Sequence, residues 1–403
     1  MNQSALIVFN VIQLLAGIPL ALATLYIFIF AFAGLFYKQP RYPQNPLLRK
    51  IAVLIPGYKE DEVIVEVAQE GLLQDYPKEC YDVVIIADSF KPETISALKA
   101  LPVKVIEVKF DKSTKSKALN KAMEQLPAGY EIAVVLDADN VMAPDFIRKV
   151  NAAFEQGCDA LQGHRKAKNM DTSLAVLDAI SEEINNHIFR KGHRVLGLSS
   201  AIIGSGMAFR YSFFKEIMST VTAIGGFDKE IELKMLRDGH KIVYLDDAAV
   251  FDEKVQKAEV FSNQRRRWLS AQLIYFRRDF FTALKALIKK GNIDYFDKAI
   301  QFIQPPRILL LGMVILFGSC FIFLNLLIFN NLFFAAFWGI LMTGCVVSFI
   351  CSIPGAFYNM QTVKAAISLP KGMLLMLGSL LKIKGANKQF IHTQHTAGKQ
   401  NIK

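Results

Sequence analysis

Two stretches of this chain carry no charge, and they decide what it can fold into. Residues 1–37 contain no Asp, Glu, Lys or Arg, and neither do residues 308–363. About 20 apolar residues in a helix cross a bilayer core. Residues 5–37 therefore predict one transmembrane helix, tilted or extended along the interface, with Pro19 as a kink. The run is too long for a signal-peptide core, with no basic region before it and no cleavage site after it. The second stretch breaks at Asn330-Asn331 into two lengths that can each span, predicting a hairpin over 307–354. The apolar run 372–381 is too short to cross and reads as interfacial. Lys38, Arg41, Arg49 and Lys50 follow the first span and no charge precedes it. The positive-inside rule then puts the N-terminus outside and the following domain in the cytoplasm, in an integral protein of the cell membrane.

The net charge of +11 needs the same map. Seven lysines and no acids lie from Lys364 onward, which leaves +4 for the rest of the chain. A basic tail behind an apolar segment reads as an anchor on the anionic membrane face, so 355–403 is expected to be an interfacial segment plus cytoplasmic tail, with no nucleic-acid partner. The five cysteines form no C-x-x-C pair, which argues for reduced buried thiols and against a zinc site or disulfide framework.

Between the spans, Pro40, Pro43 and Pro46 stiffen a linker over 38–50. Strands and helices then alternate: strands over 51–56, 81–87 and 103–108, helices over 60–73, 92–100 and 113–125, and a buried strand that ends at Asp137. This spacing predicts an α/β fold with a largely parallel, doubly wound sheet, in which ligands sit beyond the carboxyl ends of strands. Those ends carry Tyr58 and Glu60, then Asp88, then Asp137 and Asp139. Two acids two residues apart on extended chain face the same side, and paired hard oxygens suit a divalent cation carrying phosphate oxygens. Helices are expected over 171–190, capped by Asp171, over 228–237, and over 259–278, where Gln264-Arg-Arg-Arg-Trp268 lies. The run 280–287, apolar but flanked by basic residues, suits a helix on the membrane face, within an interfacial region over 280–306.

These motifs, in this order, resemble the membrane-bound family 2 glycosyltransferases, which include the processive synthases of cellulose, hyaluronan, chitin and poly-N-acetylglucosamine. The resemblance covers residues 51–279 and implies a GT-A fold, Rossmann-like, with one transmembrane helix before it and two after. Pro56-Gly-Tyr-Lys-Glu60 matches the turn beside the nucleotide, which implicates Pro56, Tyr58 and Glu60. Asp88 matches the carboxylate that holds the uracil. Lys117, or Lys115, matches a lysine of a Lys-x-x-Ala-Leu-Asn pattern that can pair with the diphosphate. Asp137 and Asp139 match the Asp-x-Asp that holds Mg²⁺ or Mn²⁺ on UDP. Asp145 matches a Pro-Asp turn that caps the next helix, Gln162 and Arg165 resemble acceptor-side residues, and Gly204–Arg210 resembles the glycine-rich strand beneath the acceptor. Gln264, Arg267 and Trp268 fit the Gln-x-x-Arg-Trp signature of processive members.

The general base is where the sequence departs from the family's Thr-Glu-Asp. Aligning the Glu-Leu that follows puts Glu230 at the base position, with Asp228 close by as the alternative. The resemblance implies an inverting, metal-dependent hexosyl transfer from a UDP-sugar to a glycan or lipid-linked acceptor at the bilayer, and admits further subunits of a synthesis or export complex. Single-sugar transfer to a lipid carrier and an inactive sugar-nucleotide-binding scaffold are the competing readings.

Overall fold

The computed structural model describes residues 3–43, 46–223 and 225–383. Of the basic tail, Lys384, Lys388, Lys399 and Lys403 lie outside the described residues. Eight strands among the described residues form one sheet: β1 (Ile51–Tyr58), β2 (Tyr81–Asp88), β3 (Lys104–Val108), β4 (Ile132–Val135), β5 (Val141–Met142), β6 (Ala160–Ala167), β7 (Met207–Arg210) and β8 (Ile242–Asp252). Their order is β3-β2-β1-β4-β7-β6-β8-β5. The half built from β1 to β4 is parallel, as the strand–helix alternation predicts. β7 runs antiparallel between β4 and β6, while β6 and β8 are again parallel.

The strand β1 shows why the sheet is covered on both faces. Ala52 and Leu54 pack with Ala118, Leu119, Phe214 and Ile231 on one side. Ile51, Val53 and Ile55 pack with Ile64, Val67, Phe146 and Val150 on the other. Successive side chains of a strand point to opposite faces, so a continuous apolar run needs two apolar layers. Each such buried aliphatic side chain contributes about 1.5–3 kcal/mol.

A third apolar cluster fastens the membrane part to the domain. Leu20, Ala23 and Ile27 of the helix Gln3–Gly34 meet Val176, Ile180 and Ile184 of the helix Ser173–Asn186, with Leu310, Val314 and Trp338. Asp178, Glu182 and Asn186 fall at the intervening positions, two residues out of phase and so about 200° around the helix. One helix therefore turns an apolar stripe to the apolar helices and a polar one to the sheet and to Arg265. It is capped by Thr172, whose hydroxyl accepts from Ala175 N–H at 3.2 Å, in place of the expected Asp171. Asp145 stands at an N-cap but makes no side-chain cap bond there and holds Lys149 at 2.7 Å instead.

Among the described residues three helices are long and apolar enough to cross a membrane: Leu6–Gly34, Arg307–Phe329 and Leu332–Ser352. The interfacial run 372–381 is the second arm of a pair, Met360–Ala366 and Leu369–Leu381, bent by 50° and together apolar enough to cross as a broken span. The boundary expected at 279/280 is no break in the chain's structure. One helix, Ala258–Lys290, runs through it and ends at Gly291, whose φ of 64° supplies the left-handed cap. Phe281 and Ile288 stay exposed on its outer side.

The membrane part and the domain come close at Gly192, where an added Cβ would lie 2.1 Å from the Phe30 carbonyl oxygen. Backbone cannot swing aside as a side chain can, so Gly192→Ala is expected to cost about 1–3 kcal/mol. A lowered melting temperature of the full chain in detergent reads this, with Gly129→Ala, which meets nothing within 4 Å, as the unchanged control.

Candidate active site

The carboxyl ends of β1, β2 and β4 open on one cavity of about 610 Å³, within the size range of small-ligand sites. The backbone register pairs Tyr58 with Asp88 across β1 and β2, and the Lys59 N–H donates to the Asp88 carbonyl at 3.1 Å. Lys59 and Ser89 both carry positive φ, 56° and 60°, so each strand turns sharply as it ends. The Ser89 hydroxyl then donates to the Asp88 carboxylate at 3.0 Å. Pro56, Tyr58, Glu60 and Asp88 all line the cavity.

Asp137 and Asp139 follow β4 and line the same cavity. The Asp137 N–H donates to the Ser205 hydroxyl at 2.9 Å, which ties the acidic turn to the glycine-rich segment beside it. Asp139 accepts from the Asn140 amide at 3.1 Å and from the Glu253 N–H at 3.3 Å. Lys115 donates to Asp137 and to the Gly204 carbonyl at 2.7 Å. Thr114 caps the helix Lys115–Gln125, and this start sets which lysine turns inward. Lys117, the expected diphosphate partner, instead donates to the Lys112 carbonyl at 2.9 Å and does not line the cavity. Among the described residues no three His, Cys, Asp or Glu side chains gather as a complete metal cage. Asp137 and Asp139 fit a hard cation whose remaining ligands come from a phosphate-bearing ligand.

Helix periodicity separates the two base candidates. Asp228 and Glu232, four apart on the helix Phe227–Arg237, share a face and line the cavity. Glu230 points away from it, buried against Lys234 at 3.0 Å with Arg278 at 3.9 Å. The Asp228 carboxyl carbon lies 3.7 Å from where a Cβ on Gly204 would sit, so Asp228 stands next to the Lys115–Asp137 pair. Gly204 is also held at φ 73°, which a side chain would strain.

From the long helix, Gln264, Arg265, Arg267 and Trp268 face the cavity, whereas Arg266 turns out to the Lys382 carbonyl at 3.1 Å. The Arg265 guanidinium lies 4.4 Å over the Trp268 ring and pairs with Asp178. Burial lowers the Arg267 pKa. Gln162 does not reach the cavity. It is fully buried, donating to the Ser205 and Gly206 carbonyls and accepting from the Ile203 N–H at 3.0 Å, so it props the glycine segment. Arg165 does face the cavity and pairs with Asp252. Lys298, on Glu232 at 2.7 Å, and Arg307 also line it and belong to no motif.

Behind Arg165 lies a buried ion network. Lys254 pairs with Asp252 at 2.8 Å and lies 3.9 Å from Glu182, which accepts from Arg190 at 3.2 Å. Burial opposes the Glu182 charge, but Arg165, Lys254 and Arg190 outweigh it and hold its carboxyl well below the usual range. A carboxyl with a lowered folded-state pKa adds stability above its unfolded value, and that stability is lost as pH falls below it. The full chain should therefore lose stability below about pH 4.5. Glu182→Gln should cost about 3–5 kcal/mol at neutral pH, since it strands buried cations, and should flatten the acid limb of a melting-temperature profile.

Residues 49–271, more than half of the chain, match the model of the glycosyltransferase like family 2. A beta-monoglucosyldiacylglycerol synthase of Trichormus variabilis is 25% identical over 252 residues, 58% of this chain and 52% of that protein. The chain thus spans about half the length of that relative. A probable glycosyltransferase of Bacillus subtilis is 22% identical over 241 residues, 57% of each chain. Among solved structures, a mannosyltransferase from Pyrobaculum calidifontis in complex with GDP-Man and Mn²⁺ superposes with a TM-score of 0.51 at 16% identity, covering 84% of this chain and 99% of that one. That likeness shows a shared fold.

Proposed function

The chain belongs to the glycosyltransferase like family 2, and from that premise we propose that it moves a hexosyl group from a UDP-sugar to a membrane-associated acceptor, with inversion. One observation carries this reading. Asp88, the Asp137–Asp139 pair, Asp228 and the Gln264–Trp268 segment come from distant parts of the chain and meet in a single cavity whose far wall is made by apolar helices.

The roles follow from charge and position. Asp88 and the turn over Pro56, Tyr58 and Glu60 take the nucleoside. Asp137 and Asp139 would hold Mg²⁺ or Mn²⁺, which supplies charge neutralisation at the diphosphate. Lys115 and Arg267 add fixed positive charge where negative charge grows on the leaving UDP. Asp228 accepts the proton of the attacking hydroxyl, and the Trp268 indole offers a flat apolar face to a sugar ring. A single in-line displacement needs no enzyme nucleophile. The domain is taken to face the cytoplasm, where the basic flank of the first span belongs.

Full-length variants in membranes supplied with labelled UDP-sugars test the assignment. Asp228→Asn should lower turnover by about 10²–10⁴-fold, while Glu230→Gln should stay near the native rate. Asp139→Ala should abolish metal-dependent transfer. Full incorporation by Asp139→Ala would remove the metal site, and loss in Glu230→Gln alone would return the base to Glu230. Binding of the UDP-sugar with neither UDP release nor glycosylated product at any acceptor would favour the scaffold reading.

A further inference from the structure

The cavity has a second charged cluster, to which the roles above assign nothing. Arg307 opens the helix Arg307–Leu324, at the edge of the membrane span, and lines the cavity. Its guanidinium donates to Asn185, to the Ser181 carbonyl at 3.2 Å and to the Ser181 hydroxyl at 3.1 Å. All three acceptors are neutral. Among the described residues no carboxylate lies within ion-pair distance of Arg307, while Arg265 is near enough for the two positive charges to repel. Two acids lie at this cluster: Asp178 is engaged by Arg265, and Glu182, whose charge also attracts Arg307 from beyond ion-pair distance, is engaged by Arg190. The Arg265 Nε is buried with no acceptor among the described residues.

A guanidinium cannot shed its proton, so a cation away from bulk water with neutral partners calls for an anion. The start of the helix at Arg307 adds the positive end of its dipole. Next to this cluster the wall is apolar: Leu177 and Ile180 come from the helix that carries Ser181 and Asn185, Ile308 and Leu311 from the helix that Arg307 opens, and Phe349 and Met376 from the later helices.

We propose that Arg307 and Arg265 form a phosphate subsite that holds a phosphate-bearing lipid as the acceptor, with its hydrocarbon along this apolar wall. The inference rests on the transfer reading above and names its acceptor class. A planar guanidinium donates two parallel bonds to phosphate oxygens, which fixes the lipid head rather than merely attracting it. A hydroxyl of that head then attacks the anomeric carbon. The new carbon–oxygen bond forms as the bond to the diphosphate breaks, UDP leaves with the electron pair, and the hydroxyl proton passes to Asp228.

The test uses the full chain in detergent and the fluorescence of its two tryptophans. Trp268 lies beside Arg265, and Trp338 is fully buried among the membrane helices and serves as background. Dioctanoyl phosphatidylglycerol, dioctanoylglycerol and glycerol 3-phosphate are titrated in turn, with UDP plus Mn²⁺ binding measured in parallel. Phosphatidylglycerol should bind at least about tenfold tighter than either of the others. Arg307→Gln should reduce it to the dioctanoylglycerol level, and Arg307→Lys should keep most of the difference. Equal binding of phosphatidylglycerol and dioctanoylglycerol by the native chain overturns the phosphate subsite. Equal binding of glycerol 3-phosphate and phosphatidylglycerol overturns the lipid. If either occurs while UDP still binds, the acceptor inference falls and the transfer reading stands. If UDP fails to bind the native chain, the transfer reading itself falls.

Discussion

The buried pairing of Arg165 with Asp252, extended through Lys254 and Glu182 to Arg190, is the interaction on which the rest of the molecule depends. Taking five charges out of water costs several kcal/mol per ion, and only mutual pairing offsets it. An apolar replacement of similar shape would often be as stable. What it could not do is hold Arg165 rigidly at the cavity wall, charged and aimed, with Asp137 within its field. The network also decides where the helix Ser173–Asn186 lies, because Glu182 and Asn186 are on its inner face and both engage Arg190.

That placement carries through to the membrane. With Glu182 and Asn186 turned to the sheet, helix geometry leaves Val176, Ile180 and Ile184 turned towards Leu20, Ile27 and Trp338. The aqueous domain and the apolar helices are therefore joined by one helix with two faces, not by a flexible tether. The join leaves the cavity unfilled, with Arg307, Phe349 and Met376 among the residues that line it.

Much of this was legible in the residues. An uncharged run longer than a bilayer is thick has few ways to fold, and an apolar strand that stops at two acids marks a sheet's ligand edge. The positions that misled were those where helical phase decides direction. Glu230 and Asp228 are two apart in a helix, so at most one can face the cavity, and aligning on the following Glu-Leu favoured the one that faces away. Lys115 and Lys117 differ in the same way, with Thr114 setting the phase. Gln162 was read as facing the acceptor, yet a fully buried amide surrounded by backbone groups spends its hydrogen bonds on them. The antiparallel strand β7 lay beyond the alternation altogether, since its neighbours β4 and β6 are set by contacts remote in sequence.

Arg307 was invisible to motif reading for a related reason. One arginine at the edge of an uncharged stretch looks like any cytoplasmic flank of a span, where a cation would sit in water among headgroups. Packing gives it another setting, inside a cavity shared with Arg265 and screened by Phe189 at 5.6 Å. Low-dielectric walls strengthen the field of such a charge several-fold over what it would be in water. A flank lysine or arginine in solvent would hold an anion weakly and from any direction. A guanidinium fixed by Asn185 and Ser181 holds one in a single orientation, in the same cavity as the Asp-x-Asp pair. An acceptor held there is bound through its phosphate by Arg307 and Arg265 and reacts at a hydroxyl beside Asp228, so binding and chemistry are set by different residues and can be varied separately.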